Sequence, residues 1–265
     1  EQLFITPPTG CIFVLLRTIL AATVVMELFL DLFSQPCRAL FIFAKKNNIP
    51  FELKHVDLLK GQHMTEEFGK VNALRKVPAL RDGDFTLAES NAILLYLSRK
   101  FKTPDHWYPS DLQKRARVDE YLSWQHTGIR AAGCKVYLSK VLLPLLTGKP
   151  FCPEKVEGAI EELNVVLKQF EEKFLGDKPF IAGSEISLAD LVAIVEIMQP
   201  VGAGYEIFKP RPKLAEWRAR VEEAIGKELF QEAHKQVLNA KSLSVAELVP
   251  ELREQMACML LKLIN

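Results

Sequence analysis

FLDLFSQPCRALFIFAKKN, residues 29–47, carries the first clear structural signal of the chain. Its first residues belong to ELFLDLF, from Glu27, a short apolar run that reads as a buried strand. PCRALFIFAKKNN then reads as a helix, with proline in its first turn and Asn47-Asn48 at its end. The join holds Ser34-Gln35-Pro36-Cys37, so a hydroxyl stands where a Cys-x-x-Cys motif would place its first thiol.

PFELKHV continues as a second strand, with apolar residues alternating at Phe51 and Leu53. A polar segment follows, with one helical turn around Thr65-Glu66-Glu67-Phe68. VPALRD and FTLA read as two strands joined at Asp82-Gly83-Asp84, a hairpin signal. SNAILLYLSRKF is a helix with Ser90 as its expected N-cap and Ile93, Leu94 and Leu97 on one face. The order is β-α-β-α-β-β-α.

KTPDHWYPSD, residues 102–111, has two prolines and no periodicity, and reads as a linker. Beyond it come helical stretches: DLQKRARVDEYLSWQHTGIRAAGCKVYLSKVLLPLLTG, PEKVEGAIEELNVVLKQFEEKFLG, SLADLVAIVEIMQ, RPKLAEWRARVEEAIGKELFQEAHKQVLNAK and a last segment from Val245 to Ile264. They amount to five or six helices. Ser187 and Asp190 have the spacing of a capping box, a structural motif. Leu138, Val141 and Leu142, like Leu163, Val166, Leu167 and Phe170, have the spacing of core stripes.

With 49% apolar and 25% charged residues, the chain has the profile of a globular protein with a real core. Lys+Arg 34 against Asp+Glu 33 gives a net charge of +1, and no basic stripe argues for nucleic acid. Five cysteines at scattered spacings, with no Cys-x-x-Cys, fit neither a disulfide framework nor a zinc site and point to a reducing compartment. CIFVLLRTILAATVV, residues 11–25, is shorter than the ~20 residues that span a bilayer. Residues 1–25 read as an extension outside the functional unit, with targeting or anchoring through 11–25 as the alternative; Met26 stands directly before the first strand. Val201-Gly202-Ala203-Gly204 imitates a dinucleotide loop but ends a helix and lacks the third glycine. No P-loop, His-Glu-x-x-His or Gly-x-Ser-x-Gly occurs.

SQPCRA after the first strand, KVPAL before a later one, AESNAILLYL opening a helix and SLADLVA in the helical half occur together and in order. By these motifs the chain resembles a theta-class glutathione transferase, from Met26 to about Lys241. The resemblance implies an α/β + all-α fold: a thioredoxin-like, glutathione-binding domain over residues 26–104, then an all-helical domain over 111–265 that forms the electrophile pocket. It also implies a cytoplasmic homodimer that uses glutathione as co-substrate, with no other cofactor and no metal.

Ser34 by position alone is an ordinary helix N-cap. A helix N-terminus also favours an anion beside it, and a thiolate is a suitable one. A free thiol has pKa ~8.5, and lowering it by about two units takes ~2.7 kcal/mol of preferential stabilisation of the anion. One hydroxyl hydrogen bond to a charged acceptor supplies roughly 1.5–3 kcal/mol and the helix end about 0.3–1. A cysteine at residue 34 would instead form a mixed disulfide. The serine therefore suits a transferase that keeps the sulfur of glutathione ionised and free to attack, which is the catalytic role the resemblance implies for Ser34. Cys37 has no partner thiol at residue 34 and reads as a small inward-facing helix residue.

Lys76-Val77-Pro78 reads alone as an edge-strand proline, and thioredoxin-like folds carry a cis bond here. Under the resemblance the Val77 backbone pairs with the cysteinyl part of glutathione, and Lys76 with His63 reaches the glycyl carboxylate. His63 alone is a loop histidine. Glu89 is implied to take the γ-glutamyl ammonium, and Ser90 at a helix start the adjacent carboxylate. In DEYLSWQHTGIRAAG, Arg130 is either a solvated helix residue or a charged fork for an anion, and similar proteins place Thr127 and Arg130 near glutathione. The expected reaction is conjugation of glutathione to a small hydrophobic electrophile such as an alkyl halide or epoxide, with reduction of organic hydroperoxides beside it. The last segment, amphipathic and Met-bearing, is expected to lid the electrophile pocket. A non-catalytic binding or scaffold module of the same fold is the alternative, against which the joint presence of Ser34, Glu89 and Ser90 speaks.

Overall fold

Four strands form a mixed sheet in the order β2-β1-β3-β4. The computed structural model describes residues 25–239, Val245, Leu248 and 250–264, so most of the apolar run 11–25 lies outside the described residues. β1 (Glu27–Leu30) pairs parallel with β2 (Glu52–His55) and antiparallel with β3 (Ala79–Asp82), which turns at Gly83 into β4 (Phe85–Leu87). Helices α1 (Gln35–Lys46), α2 (Glu66–Val71) and α3 (Ser90–Lys100) complete the expected β-α-β-α-β-β-α order.

α1 is buried at nine of its twelve positions, including Arg38. A helix hidden on nearly every side lies in the core. It packs on α3 and on the helical half, whose central element is α8 (Leu188–Gly202), buried without a break from Leu188 to Gln199. Against α8 stand α4 (Leu112–Trp124), α5 (Ala131–Tyr137), α9 (Pro212–Ile225) and α10 (Lys227–Leu238), and the helical half also holds α6 (Leu143–Thr147), α7 (Pro153–Gln169), which packs on α5, and α11 (Pro250–Ile264), which packs on α6. Asp190 anchors the start of α8, accepting from the Ile181 and Ser187 amides at 2.8 and 3.0 Å, from Ser187 Oγ at 2.9 Å and from Trp217 Nε1 at 3.0 Å. The capping box is therefore the centre of a larger buried knot.

Three sequence expectations shift. Ser90 is the first residue of α3 and Glu89 holds the N-cap position, one residue earlier than the pattern indicates. The stretch from Leu112 to Thr147 is interrupted by wide turns at His126–Arg130 and Leu138–Leu142, and the 211–241 stretch divides at Gly226. At Gly128, inside the first wide turn, an added Cβ would lie 2.6 Å from the Trp124 ring, so only glycine lets the chain bend there. The 102–111 linker is pinned: Trp107 is buried in it, edge-on to Phe43, and His106 Nδ1 lies 2.6 Å from the Ile186 carbonyl. Gly202 explains the imitation dinucleotide loop, because a Cβ there would lie 2.4 Å from the Val237 carbonyl oxygen. No described helix is long and apolar enough to cross a membrane.

Candidate functional site

The register of the sheet gathers most of the nominated residues at one of its ends. β1 and β2 run in the same direction, so both finish there. Phe29 opposes Ala79, which puts Val77 level with Asp31, just before Ser34. Leu80 opposes Leu87, so β4 runs back to that end and leads within three residues into α3 at Ser90. The starts of α1 and α3 and the lead-in to β3 therefore lie at the same end of the sheet.

Ser34 sits at the N-cap of α1 with φ −79° and ψ 125°, half-buried, and its side chain makes no capping bond. Two ordinary caps in the same chain behave differently. Thr65 Oγ1 accepts from the Phe68 amide at 3.2 Å, and Asp111 Oδ1 from the Lys114 amide at 2.9 Å. Backbone bonds hold the turn before Ser34. Its amide donates to the Asp31 carbonyl at 2.9 Å, and the Asp31 carboxylate accepts from the Phe33 and Leu58 amides at 3.0 and 2.9 Å. Cys37 is fully buried, and burial pushes its thiol up to about 12, a rise the Ser34 hydroxyl partly offsets. A thiol so protonated is no nucleophile.

Val77-Pro78 is a cis bond, as the motif led us to expect. The Lys76 side chain is exposed, while its carbonyl accepts from Asn72 Nδ2 at 2.7 Å. His63 lies half-buried on a short turn, Gln62–Met64. Its Nδ1 has no partner, and burial lowers its pKa against the pull of Asp31. Glu89 is exposed at φ 66° and ψ 108°, a backbone strain that side chains rarely accept away from functional positions. Ser90 beside it is 5% exposed.

The helical half contributes a polar chain. Arg130 is not a solvated arginine: Nε and Nη2 each lie 2.8 Å from Oε1 of the buried Glu196, and Nη1 lies 3.1 Å from His126 Nδ1. Arginine only donates, so His126 Nδ1 accepts in that contact. His126 Nε2 lies 3.4 Å from Asn91 Nδ2, one residue past Ser90, and Asn91 Nδ2 donates to the Leu122 carbonyl at 3.0 Å. Burial and the charge of Arg130 lower the His126 pKa, opposed by Glu89. Burial raises the Glu196 pKa, opposed by Arg130 and Arg38. Thr127 is exposed, with Oγ1 3.4 Å from the Trp124 carbonyl.

Sequence reasoning missed Asn91, His126, Glu196 and Arg38. Glu196 and Arg38 did carry a signal, each being a lone charge inside an apolar helical run, and such charges are buried only when paired. Among the described residues no group of His, Cys, Asp and Glu could hold a metal ion, and Cys37, Cys134, Cys152 and Cys258 are free thiols.

Fold and site together define a thioredoxin-like protein with a helical companion, presenting at the start of its first helix a serine that makes no capping bond. Comparison with known proteins is consistent throughout. The pattern of the "Glutathione S-transferase, N-terminal domain" matches residues 28–99 and that of the "Glutathione S-transferase, C-terminal domain" residues 136–224. The chain is 58% identical to glutathione S-transferase theta-1 of Gallus gallus, covering 91% of this chain and 99% of that one. Human glutathione-S-transferase T1-1 in its apo form superposes with a TM-score of 0.87 at 56% identity, over 91% of this chain and all of that one. A human theta-class glutathione transferase in complex with the glutathione conjugate of 1-menaphthyl sulfate superposes at 0.84 and 51% identity, over the same shares. The chain belongs to the glutathione S-transferase family. Within that family its relatives place it in the theta class.

Proposed function

We propose that the chain conjugates glutathione to small hydrophobic electrophiles, with Ser34 donating its hydroxyl proton in a hydrogen bond to the glutathione thiolate. The observation that carries this reading is a serine at a helix start whose hydroxyl makes no capping bond. A donor aimed at an anion in a partly desolvated site is worth roughly 1.5–3 kcal/mol, enough to ionise a bound thiol near neutrality. The thiolate then displaces halide or opens an epoxide. With an organic hydroperoxide the same sulfur takes the terminal oxygen as the O–O bond breaks and the alcohol leaves, and a second glutathione then displaces water from the resulting sulfenic acid to give the disulfide.

In this reading residues 26–104 hold the peptide. His63 and Lys76 meet its glycyl carboxylate, the Val77 backbone its cysteinyl unit, Glu89 its ammonium, and Ser90 with its amide the α-carboxylate. Thr127 and Arg130 face it from the helical half, over residues 111–265. Since Glu196 commits most of the Arg130 fork, that arginine acts as a fixed charge. The last segment lids the electrophile pocket. In support, Met256, Leu260, Leu261 and Ile264 of α11 pack on Leu142, Leu143 and Leu146, and Leu248 shares a small hollow of about 120 Å³ with Phe33 and Asp31. The protein works as a homodimer in the cytoplasm.

Retention on immobilised glutathione, followed by a panel of alkyl halides, epoxides and hydroperoxides, tests the reading. Turnover of at least one class is expected; binding with no turnover would leave a scaffold module. Removing residues 250–265 is expected to change the electrophile's KM far more than that of glutathione, and equal effects would refute the lid.

A further inference from the structure

Arg38 stands on α1, one helical turn after Ser34, and is fully buried. Its Nη1 donates to two consecutive carbonyls, Leu32 at 2.8 Å and Phe33 at 3.0 Å. Both belong to the turn that ends in Ser34. Its Nη2 donates into the helical half, to the Val195 carbonyl at 3.0 Å and to Gln199 Oε1 at 2.6 Å, both on α8. Glu196, between those two acceptors, gives Arg38 a compensating charge and is also the ion-pair partner of Arg130.

Burying a guanidinium is costly, and an apolar side chain of similar volume would fill the same helix position without that penalty. What an apolar side chain cannot do is bridge two main-chain segments. Arginine does so because its donors are fixed in one plane at set angles. Here one edge of the fork grips the turn and the other grips the most deeply buried helix of the other half.

We infer that Arg38 is a positioning residue for Ser34: it ties the Leu32-Phe33 carbonyls to α8, so that the place of the serine hydroxyl is set from the helical half of the protein. The inference rests on the reading of Ser34 as the thiolate's donor. Lysine at this position keeps the charge but has one compact ammonium, which cannot hold the turn and α8 at once.

The test follows the thiolate absorbance of glutathione bound to the full chain as a function of pH, in S34A, R38K and the double variant, with melting temperatures and the KM for glutathione alongside. R38K is expected to raise the bound thiol's pKa by about one unit, a tenfold loss of thiolate at a given pH, and to shift the acidic limb of kcat/KM equally. The KM for glutathione should change less than about threefold. In S34A/R38K the shift should not exceed that of S34A alone, because Arg38 acts through the serine. A lowered melting temperature with an unmoved thiol pKa would reduce Arg38 to a structural role and overturn the inference, as would additive shifts in the double variant. An unmoved thiol pKa in S34A would sink the reading of Ser34 and the inference with it. Should R38K fail to fold, Gln199→Leu removes one α8 anchor and leaves both turn bonds; a smaller shift of the same sign is expected, and no shift overturns the inference.

Discussion

The open end of the sheet and the middle of α8 hold polar groups of similar kinds under opposite conditions. At the sheet end the Ser34 hydroxyl caps no amide of its helix, the buried His63 Nδ1 has no partner, and Glu89 is exposed on a strained backbone. Along α8, Asp190 accepts four hydrogen bonds, Glu196 holds Arg130, and Gln199 accepts from Arg38, all three being buried. A buried polar group has to find its partner inside the protein, since leaving it unpaired costs about 1–3 kcal/mol. An exposed group such as the Glu89 carboxylate meets water instead and is available to a ligand. The contrast therefore separates residues that hold the fold from residues proposed to hold substrate.

The sharpest attempt to break that contrast is Asp190→Ala, which strands the donors of Ile181, Ser187 and Trp217. It should lower stability by about 3–5 kcal/mol in denaturant titration. A loss below about 1 kcal/mol would mean that α8's polar contacts do not support the fold.

Next in size is Ser34→Ala, which should raise the bound thiol's pKa by one to two units and lower kcat/KM at neutral pH roughly 10–100-fold. Its melting temperature should barely move, because no cap is lost. Asp111→Ala, by contrast, removes a true cap and should cost about 1 kcal/mol. Equal stability losses in the two variants would place Ser34 among ordinary caps.

The buried His234 extends the contrast to pH. Burial lowers its pKa to about 3, helped by the charges of Arg38 and Arg218 and opposed by the Phe230 carbonyl. The unfolded chain takes up this proton near pH 6.5, while the folded chain resists until about pH 3. Stability therefore falls with acidification across that window, by up to about 1.4 kcal/mol per pH unit. His234→Leu should flatten the slope between pH 6 and 4, measured by chemical denaturation; an unchanged slope would locate acid lability elsewhere.

The smallest effect comes from Glu89→Gly. Relief of the positive φ should outweigh glycine's extra freedom in the unfolded chain and stabilise the protein by about 1 kcal/mol. Glutathione should bind roughly tenfold more weakly by titration calorimetry, through loss of the ammonium's counter-charge. A variant that is stabilised yet binds normally would remove Glu89 from the site.

Much of this was legible in the chain itself. Strands, helices and turns follow from local periodicity, and Asp82-Gly83-Asp84, Pro36 and the Ser187–Asp190 spacing each mark a boundary through chemistry that acts over a few residues. The cap of α3 slipped by one residue, since Glu89 takes a backbone conformation that no local preference favours. Arg130 read equally as solvated or as a ligand fork, because its partner Glu196 lies 66 residues away.

Local pattern thus settles where each element begins and that a serine, and no thiol, precedes the first helix. Whether that serine caps the helix or stays open, and what steadies the turn beneath it, depends on Arg38 meeting Val195 and Gln199 across 157 and 161 residues of chain. Contacts so remote leave no periodicity in the sequence; they exist because packing buries a charge and burial obliges it to find partners.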